Sequence, residues 1–156
     1  MEKATLYLLV GCFLLVSSGC GSNRMQTEEV VTYTEPYQPQ GCFVYESGVS
    51  KAFLEVQFTG DVVQGRLRYA LEGKDENRGT MLGKLSGDRI TAVYTFASEG
   101  QTSTREVVFR VRGDGWVEGF GTVEVEDNRA FFTDPASIDF SEGLSFTPVV
   151  CSEASF

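Results

Sequence analysis

Few kinds of side chain in this sequence could carry chemistry. The chain has no His. That removes Ser-His-Asp and Cys-His nucleophilic arrangements, together with the commonest nitrogen ligand for zinc. No phosphate-binding loop or dinucleotide fingerprint is present, because Gly113-Asp114-Gly115 lacks the strand-to-helix setting such loops need. Carboxylates are plentiful, and a facing pair could hydrolyse a glycosidic bond. Most of the Asp and Glu here fall at turns or on the wet phase of alternating segments, where they are solvating charge. The sequence therefore points away from an enzyme, with a carboxylate hydrolase as the lower alternative.

Two polar groupings stand out from that background. Asp75-Glu76-Asn77 matches part of a calcium loop but lacks the further acidic ligands, so it reads as a solvated connection. No metal and no cofactor is expected. The second grouping is Tyr94-Thr95-Phe96-Ala97-Ser98-Glu99 and Arg105-Glu106-Val107. Arg105 shares the phase of Val107, Phe109 and Val111, so it should point inward and needs a partner. Glu99 is the nearest candidate in sequence. The pair is either a structural lock on its loop or an anchor for a ligand head group. Tyr94, Glu99, Arg105, Phe131 and Phe132 are the candidate ligand or rim residues. Trp116, after a tight turn, reads as core or barrel-end packing.

The four Cys stand at 12, 20, 42 and 151. Residues 1–19 have a weakly basic start (Met1-Glu2-Lys3) and an apolar run from Ala4 to Val16, followed by Ser17-Ser18-Gly19. The run is too short to span a bilayer and suits a signal peptide. Val16-Ser17-Ser18-Gly19-Cys20 resembles the lipobox of bacterial lipoproteins, which implies cleavage before Cys20 and lipidation of its thiol. Cys12, after Leu9-Val10-Gly11, is the rival site. Cys42 and Cys151 would then remain in an oxidising compartment, at the two ends of the folded region, and are expected to pair. Such a bridge is worth up to about 4–5 kcal/mol in the chain-entropy view. Two free buried thiols are the alternative.

The elements that must position these groups are legible as period-two alternation. Residues 20–41 are polar, contain two Pro, and read as a tether. From Cys42 apolar residues alternate with polar ones, through Ala52-Leu54-Val56-Phe58, Val63-Gly65-Leu67-Tyr69, Ile90-Ala92-Tyr94-Phe96 and Val107-Phe109-Val111. Val117, Gly119, Gly121 and Val123 continue the series as an inward phase. Gly-Asp recurs at 60–61, 87–88 and 113–114, which is turn chemistry at a regular spacing. The fold expected is all-β: a single antiparallel up-and-down, calycin-like barrel of about eight strands over 42–151, with a short tail at 152–156. The strands are 42–47, 51–58, 62–70, 79–86, 89–97, 104–112, 116–125 and 144–151. For Cys151 to meet Cys42, the first and last strands must be antiparallel neighbours, which makes the count even. Residues 126–143 are then a long connection whose Phe and Ile residues plug one end. A ninth strand at 129–133 would break the parity.

Tyr94-Thr95-Phe96, Ser98-Glu99-Gly100, Arg105-Glu106-Val107, Gly113-Asp114, Glu118-Gly119, Gly121 and the terminal Cys151 together form a pattern. It resembles a group of small single-domain β-barrel lipoproteins of Gram-negative bacteria. The resemblance covers most of 42–151 and implies a fold and a place, the cell envelope, with lipid anchorage to the outer membrane facing the periplasm. It brings no activity with it. The Gly-x-Trp motif of lipocalins is missing near the first strand, since the single Trp is Trp116. Barrel-type lysozyme inhibitors share only architecture.

Net charge is −9 and stays so after cleavage, because Glu2 and Lys3 leave together. That excludes nucleic acid as a natural partner. The expectation is a lipid-anchored binding or interaction module for a small apolar ligand or an envelope protein, the latter including a hydrolase to be inhibited. The alternative is a purely structural envelope lipoprotein.

Overall fold

The computed structural model describes residues 37–98 and 100–154. Cys20 and Glu99 lie outside them, as does the leader. The described chain folds into ten strands: β1 (Gly41–Ser47), β2 (Ser50–Thr59), β3 (Val62–Ala70), β4 (Asn77–Ser86), β5 (Arg89–Ser98), β6 (Gln101–Arg112), β7 (Gly115–Gly119), β8 (Val123–Glu126), β9 (Arg129–Phe132) and β10 (Ser145–Val149). Eight of them form a closed antiparallel ring in the order β1-β2-β3-β4-β5-β6-β7-β10, with β10 returning to β1. Closure leaves no free edge in the ring itself.

The Gly-Asp repeats make this meander. Thr59 pairs with Val62, Ser86 with Arg89 and Arg112 with Gly115, so each turn has two residues. Gly60, Gly87 and Gly113 take φ values of 62°, 61° and 63°, a conformation that costs glycine nothing. All three turns lie at one end of the ring. Cys42 and Cys151 are bonded there, with Cα atoms 5.1 Å apart and a sequence separation of 109, across the seam where β1 meets β10. Trp116 fills this end: it is 1% exposed, packs against Phe58, and donates from Nε1 to the Pro39 carbonyl at 3.1 Å.

The ring interior is packed. Phe43, Leu54, Val56, Val63, Leu67, Ile90, Val107, Phe109, Trp116 and Phe146 are all buried in one cluster. At the opposite end, the connections that the expected strands leave at 48–50 and 98–103 are shorter than the sequence suggests. Ser47 pairs with Ser50 and Ser98 with Gln101, leaving 71–76 as the long loop there.

Three expectations need correction. The strand expected over 116–125 is broken into β7 and β8. The ninth strand exists as β9, but it lies outside the ring. It pairs with β8 and, in parallel, with Thr104 and Arg105 of β6, so the even count survives. The connection 126–143 does not plug an end. Its Ile138 and Phe140 pack on Val108 and Val117, with Phe132 beside them, as a strap over the outer wall of β6 and β7.

Gly119 shows how close the strap lies. A Cβ there would sit 2.5 Å from Ile138 Cγ2 and 2.6 Å from Phe140 Cε1. Arginines from the wall hold the strap. The Arg110 guanidinium lies 4.2 Å from the centre of the Phe140 ring and that of Arg89 5.3 Å. Arg112 donates from Nη2 to the Phe140 carbonyl at 2.8 Å. Phe120 and Asp139 exchange backbone hydrogen bonds of 2.9 and 2.8 Å.

Candidate functional site

The phase of β7 determines the site. Hydrophobicity suggested that Val117 and Gly119 face inward. The two-residue turn dictates otherwise. Arg112 opposite Gly115 places Val111 opposite Trp116 and Phe109 opposite Glu118. Directly opposed residues share a face, and Phe109 faces the interior. Trp116 and Glu118 therefore point in, while Val117 points out toward the strap. All five residues of β7 are buried, so an apolar count cannot tell one face from the other.

Glu118 is the buried charged side chain among the described residues, at 2% exposure. Two strands bring partners to it. Tyr69 on β3 donates its hydroxyl to Glu118 Oε1 at 2.8 Å. Arg105 on β6 approaches the same oxygen through Nη2 at 3.5 Å, a long contact for a buried ion pair. Glu118 Oε2 and Arg105 Nε are both buried without a hydrogen-bond partner. The Arg105 guanidinium lies 4.6 Å from the centre of the Tyr69 ring and 5.7 Å from that of Tyr94. Tyr94 on β5 is fully buried, stacks on Phe96, and donates toward the Leu67 carbonyl at 3.0 Å and Asn77 Oδ1 at 3.1 Å.

Burial dominates the electrostatics. It pushes the Glu118 carboxyl up to about 7, against the pull of Arg105 and the Tyr69 hydrogen bond. Burial and the adjacent Glu118 raise Tyr69 well above the usual phenol value. Burial raises Tyr94 too. Burial opposes the charge on Arg105, but Tyr69 and Glu118 outweigh it and hold the guanidinium above its ordinary value. The cluster thus contains a cation that stays charged, two neutral phenols and one carboxyl that changes charge near neutrality.

A cavity of about 230 Å3 opens at the same end of the ring, lined by Tyr69, Leu71, Lys74, Asp75, Asn77 and Arg105. Arg105 stands between this mouth and buried Glu118, with a third of its side chain exposed. An arginine and a carboxyl in contact can bind and exchange charge. They are not the facing carboxylate pair that glycoside hydrolysis uses.

The sequence-derived candidates separate as follows. Tyr94 and Arg105 meet in the cluster. Among the described residues, the carboxylate that Arg105 meets is Glu118, supplied by the next strand. Phe132 is not at the mouth: its ring joins the strap cluster on the outer wall, and its N–H donates to Glu106 Oε2 at 2.9 Å. Phe131 is half-buried on β9. Asn77 of the calcium-like tripeptide faces Tyr94, and Glu76 is committed to Arg68 at 2.8 Å, which holds its carboxyl below the usual value. Glu118 and Tyr69 were missed as site residues. The signal that finds Glu118 is the length of the Gly113-Asp114 turn. Tyr69 was read as inward but not as a hydrogen-bond donor.

Comparison with known proteins gives no match: no family model, no curated protein and no solved structure is similar to this chain.

Proposed function

We propose that this protein is a lipid-anchored β-barrel of the bacterial cell envelope that works as a non-catalytic binding module, taking its ligand at the end of the ring where Arg105 stands. The observation that supports this is the incompletely bonded Arg105: a long contact to Glu118, a buried Nε without an acceptor, and a flank on the mouth cavity. A buried N–H donor normally has an acceptor. The packed interior favours a ligand that sits in the mouth with a polar head over one that is wholly apolar and deeply enclosed. Residues 37–40 lie at the opposite end of the ring, where the Pro39 carbonyl accepts from Trp116. The test is native mass spectrometry of the protein taken from envelope extract. The wild type should retain a bound species that Arg105→Gln does not, and equal spectra would remove the mouth as the site. The anchor is tested by metabolic lipid labelling, which Cys20→Ala should abolish. Persistent label would move the site to Cys12.

One observation favours a second reading, an envelope protein as partner. β8 pairs only with β9 among the described strands, and it leaves Val123 and Val125 exposed at 49% and 73%. A free edge with apolar side chains can take up a strand from another protein. Val125→Lys should then release a co-purifying protein without affecting anything held at Arg105.

A further inference from the structure

The polar cluster and the cavity share one residue, and that sharing has chemical content. Arg105 is a single positive charge with two places to spend it. On one side is Glu118 Oε1 at 3.5 Å, and on the other is the mouth cavity. The groups that face Glu118 are Tyr69 from β3 and Arg105 from β6, and Tyr94 from β5 lies against the Arg105 guanidinium. Lys74 and Asp75 line the mouth and offset each other in charge.

We infer that the mouth is a site for a small carboxylate, and that Arg105 is a counter-ion shared between this ligand and Glu118, so that the anion binds together with one proton on Glu118. The inference rests on the reading of the mouth as the binding site and adds the ligand class and its coupling.

The charge balance is simple. With Glu118 ionised, Arg105 is already neutralised, and an entering carboxylate would put two negative charges on one cation in a poorly solvated place. When Glu118 takes up a proton from solvent, the guanidinium is left as an uncompensated cation. The entering carboxylate then restores neutrality. The protonated carboxyl also needs less from Arg105, because Tyr69 remains within 2.8 Å of Oε1. The phenols stay neutral over this range, since burial raises both of them. Glu118 is the group that switches, with its midpoint near neutrality at about 7. The size of the cavity, about 230 Å3, suits a short-chain carboxylate whose methylenes lie along Leu71 and the Tyr69 ring.

Equilibrium dialysis of the full chain in detergent against radiolabelled butyrate tests this, because butyrate is ionised throughout the range used. Apparent affinity should be about 30-fold weaker at about pH 8.5 than at about pH 6, following the protonated fraction of a group with its midpoint near 7. Glu118→Gln should bind at both pH values as tightly as the wild type does at about pH 6. Arg105→Gln should not bind, and the Glu118→Gln/Arg105→Gln double variant, which has no buried charge to strand, supplies the background. Neutral butyramide should not compete. Equal wild-type binding at both pH values would overturn the proton coupling and leave the mouth site standing. No binding above background at either pH, in wild type and Glu118→Gln alike, would overturn the carboxylate site and the mouth reading together. If Glu118→Gln does not fold, the wild-type pH comparison decides the coupling alone.

Discussion

β6 and β7 present two opposite surfaces, and each carries buried side chains. Toward the ring interior they turn Arg105 and Glu118, a charged pair with unpaired buried atoms. Toward the outside they turn Val108 and Val117, covered by Ile138 and Phe140. A small barrel ordinarily keeps its apolar side chains inside and its charges on the wall. Here, on these two strands, the assignment is locally reversed. Whether a sheet face is apolar thus depends on what covers it, not on which side of the ring it occupies. The strap makes an outer core possible, and the mouth makes an inner charge tolerable, since Arg105 can reach solvent there.

The outer cluster is the more exposed of the two faces to a single substitution. Phe140→Ala removes the ring on which Arg89 and Arg110 rest and opens a cavity over Val108 and Val117. It should cost about 3–5 kcal/mol in urea unfolding. A loss under about 1 kcal/mol would mean that the outer cluster contributes little to the fold.

The inner face should show itself in pH dependence. The folded protein holds the Glu118 proton up to about pH 7, whereas the unfolded chain releases it near the ordinary value of 4.5. Between those values the native state binds more protons, so stability falls as pH rises through this window and is level above it. The expected loss is about 3 kcal/mol. Glu118→Gln should flatten that slope while leaving the effect of Phe140→Ala unchanged. A slope that persists in Glu118→Gln would place its origin elsewhere.

The smallest effect sharpens the contrast between the two arginine environments. Arg110 sits over Phe140 at 4.2 Å, with Asp88 at 3.6 Å in an exposed pair. Arg110→Gln should cost only about 0.5–1 kcal/mol, with no change in pH slope.

These two faces also mark how far the sequence could be read. The ring was legible because the Gly-Asp turns and the alternation of β2, β3, β5 and β6 agree on one register, and because Cys42 and Cys151 demand neighbouring first and last strands. Arg105 was legible as inward because β6 has one wet face. β7 was not, because Trp116 and Val117 are both apolar and both buried, so alternation carries no information there. Counting residues across the Gly113-Asp114 turn does carry it, and yields Glu118. The strap was legible only as a need: Ile138 and Phe140 had to be buried somewhere. Hydrophobicity alone cannot say whether a surplus apolar segment closes an end or covers a wall. The glycine at 119, which leaves room for both side chains, is the local feature that decides it.

The seam disulfide has a mechanical consequence. Cys42 lies at the start of the first ring strand and Cys151 just beyond the last, and the bond joins them directly. A pull between the two chain ends is therefore transmitted through a single covalent link, and the whole loop between the cysteines carries no tension. Stretched in its oxidised form, the barrel should extend only by its flanking segments. Reduced, it should be unzipped from β1 and β10 inward, losing the ring one strand at a time.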